Sequence, residues 1–600
     1  MCGIGGWLDY QLDMYQKIND LKNMKKTLDK RGPDDGGIFV QEHCGLVHSR
    51  LAIVDEENGK QPFSYGNYTI VYNGELYNTN EIKAELMELG YSFNSKTDTE
   101  VVLLAYIAWG VSSFKKLNGI YAFAIYNEKS EELVLVRDCF GVKPLYYYEY
   151  ERGIVFGSLI KTLFASTIVQ PIVTKESLKQ IFLLGPGKIP GSGVYKDVRE
   201  ILPGQYMVIN PYKGHREFYY QLEAKKHTET LEETIEHIRS LVIDSIERQL
   251  PTDIGYGTML SGGLDSSIVS KISSVHCVIL PTYYIRYQDN EKYFKQTLFQ
   301  PNQDEDFVHV MVEDIESDFH AITLNEEQLF DSLYEAMKAR DLPGMADIDS
   351  SFYLFCKNIS ELEKVVLSGE CADEIFGGYP WYYNEEYMWK DTFPWMDSIE
   401  FRKRLLMDTV LDDEEMFVRR LYQETINNVS YLETDSYEQR RHRELFYLNI
   451  YWFMQTLLDR CDRMSMANGL EVRVPFCDKR LVEYCYNIPV EMKFLHGDEK
   501  GLLKEAMKDI LPDEIVHRKK SPYPKTWSPK YYEMLVNRIR EVMNEDGLFT
   551  YLINKEVIEE MIADDKEIMW YGQLMRKPQV LAYLLQVDMW LKEYQVMIEY

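Results

Sequence analysis

The sequence predicts a two-domain α/β protein: a strand-rich N-terminal domain, then a domain built on a parallel sheet with a helical C-terminal part. Three observations carry that expectation. Six hundred residues exceed what one hydrophobic core supports. The first 150 residues read mainly as short alternating or β-branched runs bounded by Gly and Asn turns. From about residue 220 to about 380, strand and helix signals alternate, which implies parallel strands with helices on both faces.

In chain order, Thr69–Tyr72, Tyr121–Tyr126, Leu133–Val136 and Leu145–Tyr148 read as strands. Asn80–Leu89 reads as a helix, with Ile82, Leu86 and Leu89 at helical spacing, and Thr99–Trp109 as another that Asp98 would cap. The Gly/Pro-rich stretch Gly185–Gly193 and the turn Pro203–Gly204 lead into Tyr206–Ile209, expected to be the last strand of this domain. The boundary falls near 220, giving domains 1–220 and 221–600. Thr230–Leu250 is a long helical pattern feeding Ile254–Leu260, a strand that ends in glycines; Val278–Ile285, Glu327–Ala339, Ser351–Lys357 and Val365–Leu367 continue the alternation. Beyond residue 400 the chain reads as almost wholly helical.

The formal net charge is −30, with acids spread along the chain, which argues against nucleic-acid binding as the main task. A nucleotide is still admissible, because a phosphate needs only local N–H groups and one or two cations. The nine cysteines form no CxxC pair and suggest neither a disulfide framework nor a zinc site. With no signal-peptide pattern and no apolar run near the roughly 20 residues that span a bilayer, a cytoplasmic protein without membrane partners is expected.

Four N-terminal segments carry one chemistry. Removal of Met1 would leave Cys2 with a free α-amine, a ready general base for the neighbouring thiol. Arg50 could grip a carboxylate, Asn73 and Gly74 could form an oxyanion hole at a strand end, and Asp98 could hold an ammonium group. Singly, each has a plain structural reading: an inert cysteine, a surface ion pair, a hairpin turn, a helix cap. Jointly they describe a site that hydrolyses a side-chain amide such as that of glutamine.

A second set points to nucleotide chemistry. Leu260, Ser261, Gly262, Gly263, Leu264, Asp265, Ser266 and Ser267 follow a buried strand and open a helix at Ser266–Ser273, the arrangement that cradles phosphate. The pattern fits neither GxxxxGK[ST] nor GxGxxG; it is the pyrophosphate loop of enzymes that transfer AMP from ATP. Downstream, Ser368-Gly369-Glu370-Cys371-Ala372-Asp373 again puts acids and glycines after a strand. Asp265 and Asp373 are the natural pair for Mg²⁺, and Glu370 suits a base or an ammonium-binding carboxylate. Lys500 could neutralise charge at phosphorus or simply begin a helix. Arg460, Asp462, Arg463, Glu471 and Arg473 suggest a buried ion network, and Arg518–Lys525 reads equally as a solvated loop or a flap over ATP.

Together these segments resemble the glutamine-hydrolysing asparagine synthetases, members of the class II glutamine amidotransferases. The likeness runs from Cys2 to about Lys525; the stretches Lys292–Asn302, Ala339–Ser351 and Arg518–Thr526 are similar to a bacterial branch. The resemblance implies an N-terminal-nucleophile hydrolase domain, an αββα sandwich, followed by a pyrophosphatase-loop synthetase domain. It implies Cys2 as nucleophile, Asn73 and Gly74 as oxyanion hole, and Arg50, Asn73, Glu75 and Asp98 as glutamine ligands. Leu260–Ser267, Ser368 and Gly369 would bind ATP, Asp265 and Asp373 Mg²⁺, and Glu370 and Lys500 would act in the chemistry. Aspartate would form β-aspartyl-AMP, which ammonia arriving by an internal tunnel converts to asparagine; a homodimer is compatible. Leu159, Lys479 and Lys504 depart from the family pattern. The alternatives are a relative amidating another carboxylate, or a non-catalytic nucleotide- or glutamine-binding homologue, against which intact Cys2, Asp265, Asp373 and Lys500 count.

Overall fold

The computed structural model describes residues 1–600 except 213, 294–303, 397–398, 408–409, 411–413, 565, 567 and 600. The stretch Lys292–Asn302 therefore lies almost wholly outside the described residues.

The N-terminal half holds strands β1 (Cys2–Asp9), β2 (Asp35–Val40), β3 (Cys44–Arg50), β4 (Phe63–Tyr65), β5 (Tyr68–Leu76), β6 (Gly119–Asn127), β7 (Glu132–Arg137), β8 (Tyr146–Tyr150), β9 (Gly153–Gly157), β10 (Ile172–Thr174), β11 (Val198–Glu200), β12 (Gln205–Ile209) and β13 (His215–Phe218). All but β10 form two antiparallel six-stranded sheets, ordered β11-β8-β9-β1-β3-β2 and β13-β12-β7-β6-β5-β4. Successive side chains on a strand point to opposite faces. Ile4 and Leu8 of β1 thus join Leu46, Val71, Ala122, Leu135, Phe156 and Met207 in an apolar layer between the sheets. Helices Ile18–Leu28 and Ile160–Phe164 cover the outside of the first sheet, and Thr79–Glu88 and Asp98–Trp109 lie outside the second. The result is an α-β-β-α sandwich.

Helix Leu231–Arg248 opens the second half, its start fixed by a reciprocal cap between Thr230 and Glu233. It leads to β14 (Gly257–Met259), β15 (Pro281–Tyr287), β16 (Asp318–Leu324), β17 (Val365–Leu367) and β18 (Glu471–Arg473), all parallel in the order β16-β15-β14-β17-β18. Strand order reverses between β14 and β17, so the crevice beyond their C-terminal ends is where such a sheet binds ligands. A last strand, β19 (Met597–Glu599), returns to pair in parallel with β10.

Three expectations need correction, and a fourth, the almost wholly helical region beyond 400, holds with an addition. Tyr206–Ile209 is followed by β13, whose exposed, polar sequence carries no alternation signal. The region beyond 400 contributes β18 to the sheet and β19 to the N-terminal half. The helix after the glycine loop begins at Leu264 rather than Ser266. Asp98 is the first helical residue, not the cap; Thr97 holds that position, and the Asp98 carboxylate instead accepts the Leu76 N–H at 2.9 Å.

Candidate active site

β1 and β5 sit side by side in facing sheets, which brings Cys2 against Asn73. The Cys2 backbone N–H donates to Asn73 Oδ1 at 2.9 Å, and Asn73 Nδ2 is buried without a hydrogen-bond partner among the described residues. Gly74 faces Tyr121 across the β5–β6 ladder. Tyr121 spends its own N–H and C=O on Asp138, so this is a non-hydrogen-bonded pair and the Gly74 N–H points away from β6. Its neighbours on that edge, the N–H groups of Tyr72 and Leu76, go to Gln61 Oε1 (2.7 Å) and Asp98 Oδ2 (2.9 Å). Asn73 Nδ2 and the Gly74 N–H are thus two donors that the β5–β6 ladder leaves open next to Cys2.

Burial pushes the Cys2 thiol up; the Met1 ammonium and Arg50 act against it. The Met1 ammonium itself lies 2.6 Å from Glu471 of β18. Burial would raise the Glu471 carboxyl, but Met1 and Arg473 outweigh it and hold it down to about 2. Arg50 gives Nη1 to the Glu56 carbonyl (2.8 Å) and Nη2 to the Val54 (3.1 Å) and Asp55 (2.8 Å) carbonyls, so much of its guanidinium fixes the loop after β3. Glu75 pairs with Arg473 at 3.2 Å. Burial holds both Glu75 and Asp98 above the usual carboxylate range.

The second site lies at the sheet crevice, in a cavity of about 240 Å³. Gly262 has φ +67°, and a Cβ there would stand 2.6 Å from the Val308 N, so the loop requires glycine. Ser266 Oγ accepts the Ser261 N–H at 3.1 Å, folding the loop back on the start of the helix, while Ser267 Oγ is buried and has no partner among the described residues. Gly369 lets the second loop approach: its Cβ would be 2.8 Å from the Ser266 N. Ser261, Gly263, Leu264, Asp265, Ser266, Ser368, Gly369, Glu370 and Asp373 all line this cavity, as do Leu260 and Lys500.

Asp265 and Asp373 face each other across Lys500, whose ammonium is 2.5 Å from Asp265 Oδ2 and also pairs with Asp373. Lys520 adds a second cation 2.8 Å from Asp373 Oδ2. Burial pushes Asp265 up to about 6 despite Lys500; at Asp373 the two lysines outweigh burial and hold the carboxyl down. Glu370 pairs with Arg460, whose guanidinium lies against the mutually perpendicular Phe352 and Tyr523 rings, 5.2 and 5.1 Å from their centroids.

Segment 518–525 covers this cavity rather than standing in solvent. Arg518 reaches the Ser261 carbonyl (3.1 Å) and pairs with Asp304; Tyr523 OH meets Ser351 Oγ at 3.3 Å. Sequence reasoning named the segment but not Lys520 as a site cation; three consecutive basic residues in an acidic chain were the signal. Arg460 and Arg473 were grouped only as structural charges, and the wall formed by Tyr571–Leu574 had no signal at all. Asp347 accepts from the Gln579 side-chain amide (3.1 Å) and Asp349 from the Met345 N–H (2.8 Å).

The sites are joined by β18. The Arg473 carbonyl accepts the Ser368 N–H at 2.9 Å while its side chain reaches Glu75 and Glu471. Around this contact, Arg31 and Lys143 bind Asp462 at 2.7 and 3.2 Å, and Asp341 Oδ2 accepts the N–H groups of Ile160 (2.9 Å) and Lys161 (3.3 Å). Leu159 has no side chain to cap that helix, and Asp341 from the other half does so.

Family models agree with this division of labour: one described as asparagine synthase matches residues 237–592, and one described as a glutamine amidotransferase domain matches 1–220. The chain is 41% identical over 615 residues to asparagine synthetase [glutamine-hydrolyzing] 3 of Bacillus subtilis (strain 168), with 100% of each protein covered. It is 29% identical to synthetase 1 of the same organism, covering 94% of this chain and 93% of that protein. With asparagine synthetase B of Escherichia coli (strain K12) it shares 24% identity, over 93% and 89% respectively. A thiol site and a phosphate-loop cavity bound into one two-domain chain, together with these likenesses, place the protein: it belongs to the glutamine-hydrolysing asparagine synthetase family.

Proposed function

We propose that the protein makes asparagine from aspartate, ATP and glutamine, giving AMP, pyrophosphate and glutamate. The observation that carries this reading is a single strand, β18, whose side chains reach the Met1 ammonium and Glu75 on either side of the Cys2–Asn73 contact and whose backbone holds the second loop of a phosphate-type cavity. In the first site Cys2 attacks the glutamine side-chain amide, and its α-amine, freed by loss of Met1, takes the thiol proton. Asn73 Nδ2 and the Gly74 N–H stabilise the oxyanion. Arg50, Glu75 and Asp98 hold the substrate's α-carboxylate and α-ammonium.

In the second site Leu260–Ser267, Ser368 and Gly369 hold ATP. Asp265 and Asp373 fit Mg²⁺: both offer hard oxygens, Asp265 Oδ1 is buried without a partner, and the pair already encloses a cation. Bound there, Mg²⁺ would draw charge from the polyphosphate. The aspartate side-chain carboxylate attacks the α-phosphorus, pyrophosphate leaves, and β-aspartyl-AMP remains. Lys500 and Lys520 offset the charge on the departing pyrophosphate, and Glu370 takes a proton as ammonia displaces AMP. Assembly as a homodimer belongs to the same reading and is tested by light scattering.

The deciding experiment supplies Mg·ATP and ammonia with a panel of carboxylates. AMP and pyrophosphate are expected to appear together only with aspartate. Brisk release with another acid, and none with aspartate, would overturn the assignment.

A further inference from the structure

Cys371 and Cys477 occupy equivalent positions beyond two neighbouring strands. β17 and β18 pair in parallel with Leu367 opposite Arg473, and each strand is followed four residues later by a cysteine. The Ser368 N–H to Arg473 carbonyl bond carries the pairing one residue further. Both thiols are free and buried; burial first, and then the neighbouring Cys477 thiol, push the Cys371 thiol well up. Their short helices, Ala372–Phe376 and Pro475–Cys477, pack edge to face through Phe376 and Phe476, with ring centroids 6.3 Å apart.

The backbone at Cys371 has φ 77° and ψ −13°, the left-handed region that glycine enters freely and other residues resist. A cysteine is therefore held against its conformational preference, between Glu370 and Asp373 and beside a second thiol. Cys371 also lines the nucleotide cavity, which gives a small oxidant a route to it.

We propose that Cys371 and Cys477 form a reversible disulfide that switches off the nucleotide site in the presence of a hydroperoxide. Hydrogen peroxide converts the Cys371 thiol to a sulfenic acid, releasing one water. The Cys477 sulfur then displaces the hydroxyl to form the S–S bond, and its proton leaves with that hydroxyl as a second water. Two thiols give up two electrons and the peroxide is reduced; a dithiol reverses the step by exchange. A disulfide needs its Cβ atoms about 3.8 Å apart and a dihedral near 90°, so closing it turns Cys371 and displaces Glu370 and Asp373 on either side. The loss of activity rests on reading this loop as part of the ATP site; the cross-link does not.

The test treats the whole protein with hydrogen peroxide, traps free thiols with N-ethylmaleimide and maps peptides by mass spectrometry. Ammonia-dependent pyrophosphate release is followed in parallel, because it bypasses oxidation of Cys2. The 371–477 cross-link should appear in step with at least a tenfold loss of release, and dithiothreitol should restore both. Cys477→Ser, and separately Cys371→Gly, which suits the left-handed backbone, should lose less than twofold at the same dose. Absence of the cross-link at inactivating doses, a full cross-link with release intact, or equal inactivation of both variants would each overturn the proposal. A reduced protein that releases no pyrophosphate with any acceptor would defeat the functional reading instead, while the peptide map still decides the cross-link.

Discussion

Asn73 divides one amide between two tasks: its oxygen fixes the Cys2 nitrogen, and its nitrogen has no partner among the described residues. A buried donor left unpaired costs about 1–3 kcal/mol, a cost the protein recovers when an oxyanion forms there. Replacing Asn73 with Ala should lower glutamine-dependent kcat by about 10²–10³-fold and leave ammonia-dependent synthesis intact; steady-state kinetics with each nitrogen donor separates the two. Cys2→Ala should abolish glutamine use outright while the ammonia route persists. Lys493 offers a pH test. Burial lowers its ammonium to about 7 from the usual 10.5, against a small opposing pull from the Cys485 thiol and with Arg443 reinforcing it. Its Nζ has no hydrogen-bond partner among the described residues and rests 3.4 Å above the Phe446 ring centroid. Between pH 7 and 10.5 the unfolded chain binds this proton and the fold does not, so stability contributed here rises with pH; below 7 the full cost of burying the charge is felt. Lys493→Met should stabilise the protein at pH 7 by on the order of 3–5 kcal/mol and less at pH 9. Thermal unfolding of parent and variant at both pH values gives the comparison.

At the scale of elements, the strand β18 decides how the two sites communicate. Its backbone holds Ser368 and its Arg473 side chain holds Glu75, so the two functions can be separated by substitution. Arg473→Met keeps the backbone bond but leaves Glu75 and Glu471 without their shared cation. Removing one partner of a buried pair costs about 3–5 kcal/mol, and here the cost falls on the glutamine site. Glutamine-dependent synthesis should fall tenfold or more, with ammonia-dependent synthesis within twofold of the parent. Equal loss of both would mean that the side chain supports the sheet as a whole. This element also marks how far the sequence could be read. Loops whose chemistry is contiguous, such as Ser261–Ser267 and Ser368–Asp373, were legible because glycine, hydroxyl and carboxylate residues fall within a few positions of one another. β18 was not: three residues inside a helical region show no alternation, and what makes them a strand is the neighbouring β17. Asp98 was misjudged for a related reason. An Asp before a helix satisfies the local cap rule, but the Leu76 N–H from another strand took its carboxylate.

For the whole molecule, a continuous apolar core runs through both halves, and the contacts that set their relative position are partly contributed by the extreme C-terminal segment. Helix Lys577–Glu593 sends Tyr583 OH to the Ile181 and Gly185 carbonyls (2.6 and 3.0 Å) and Trp590 Nε1 to Tyr195 OH (2.7 Å). Tyr594 OH binds Asp341 Oδ1 at 2.8 Å, on the residue that caps helix Ile160–Phe164. Beyond them, β19 pairs with β10, the Met597 N–H reaches the Pro171 carbonyl (3.0 Å), and Glu599 meets Lys196 at 2.6 Å. None of this could be inferred from sequence, because a three-residue strand acquires meaning only from a partner in the other half. A two-stranded parallel ribbon is marginal alone, and much of β19 is exposed, so its loss should scarcely affect global stability. It should instead loosen the register of the halves, which matters only when ammonia made in one must be used in the other. Ending the chain after Val596, which is buried in the core and is kept, is therefore expected to leave glutamine hydrolysis and ammonia-dependent synthesis each within about twofold, as mutations outside a packed core usually do. The yield of asparagine per glutamate released should fall. Amino-acid analysis of timed reactions gives that ratio directly, and an unchanged ratio with a folded, truncated chain would assign the strand no part in coupling.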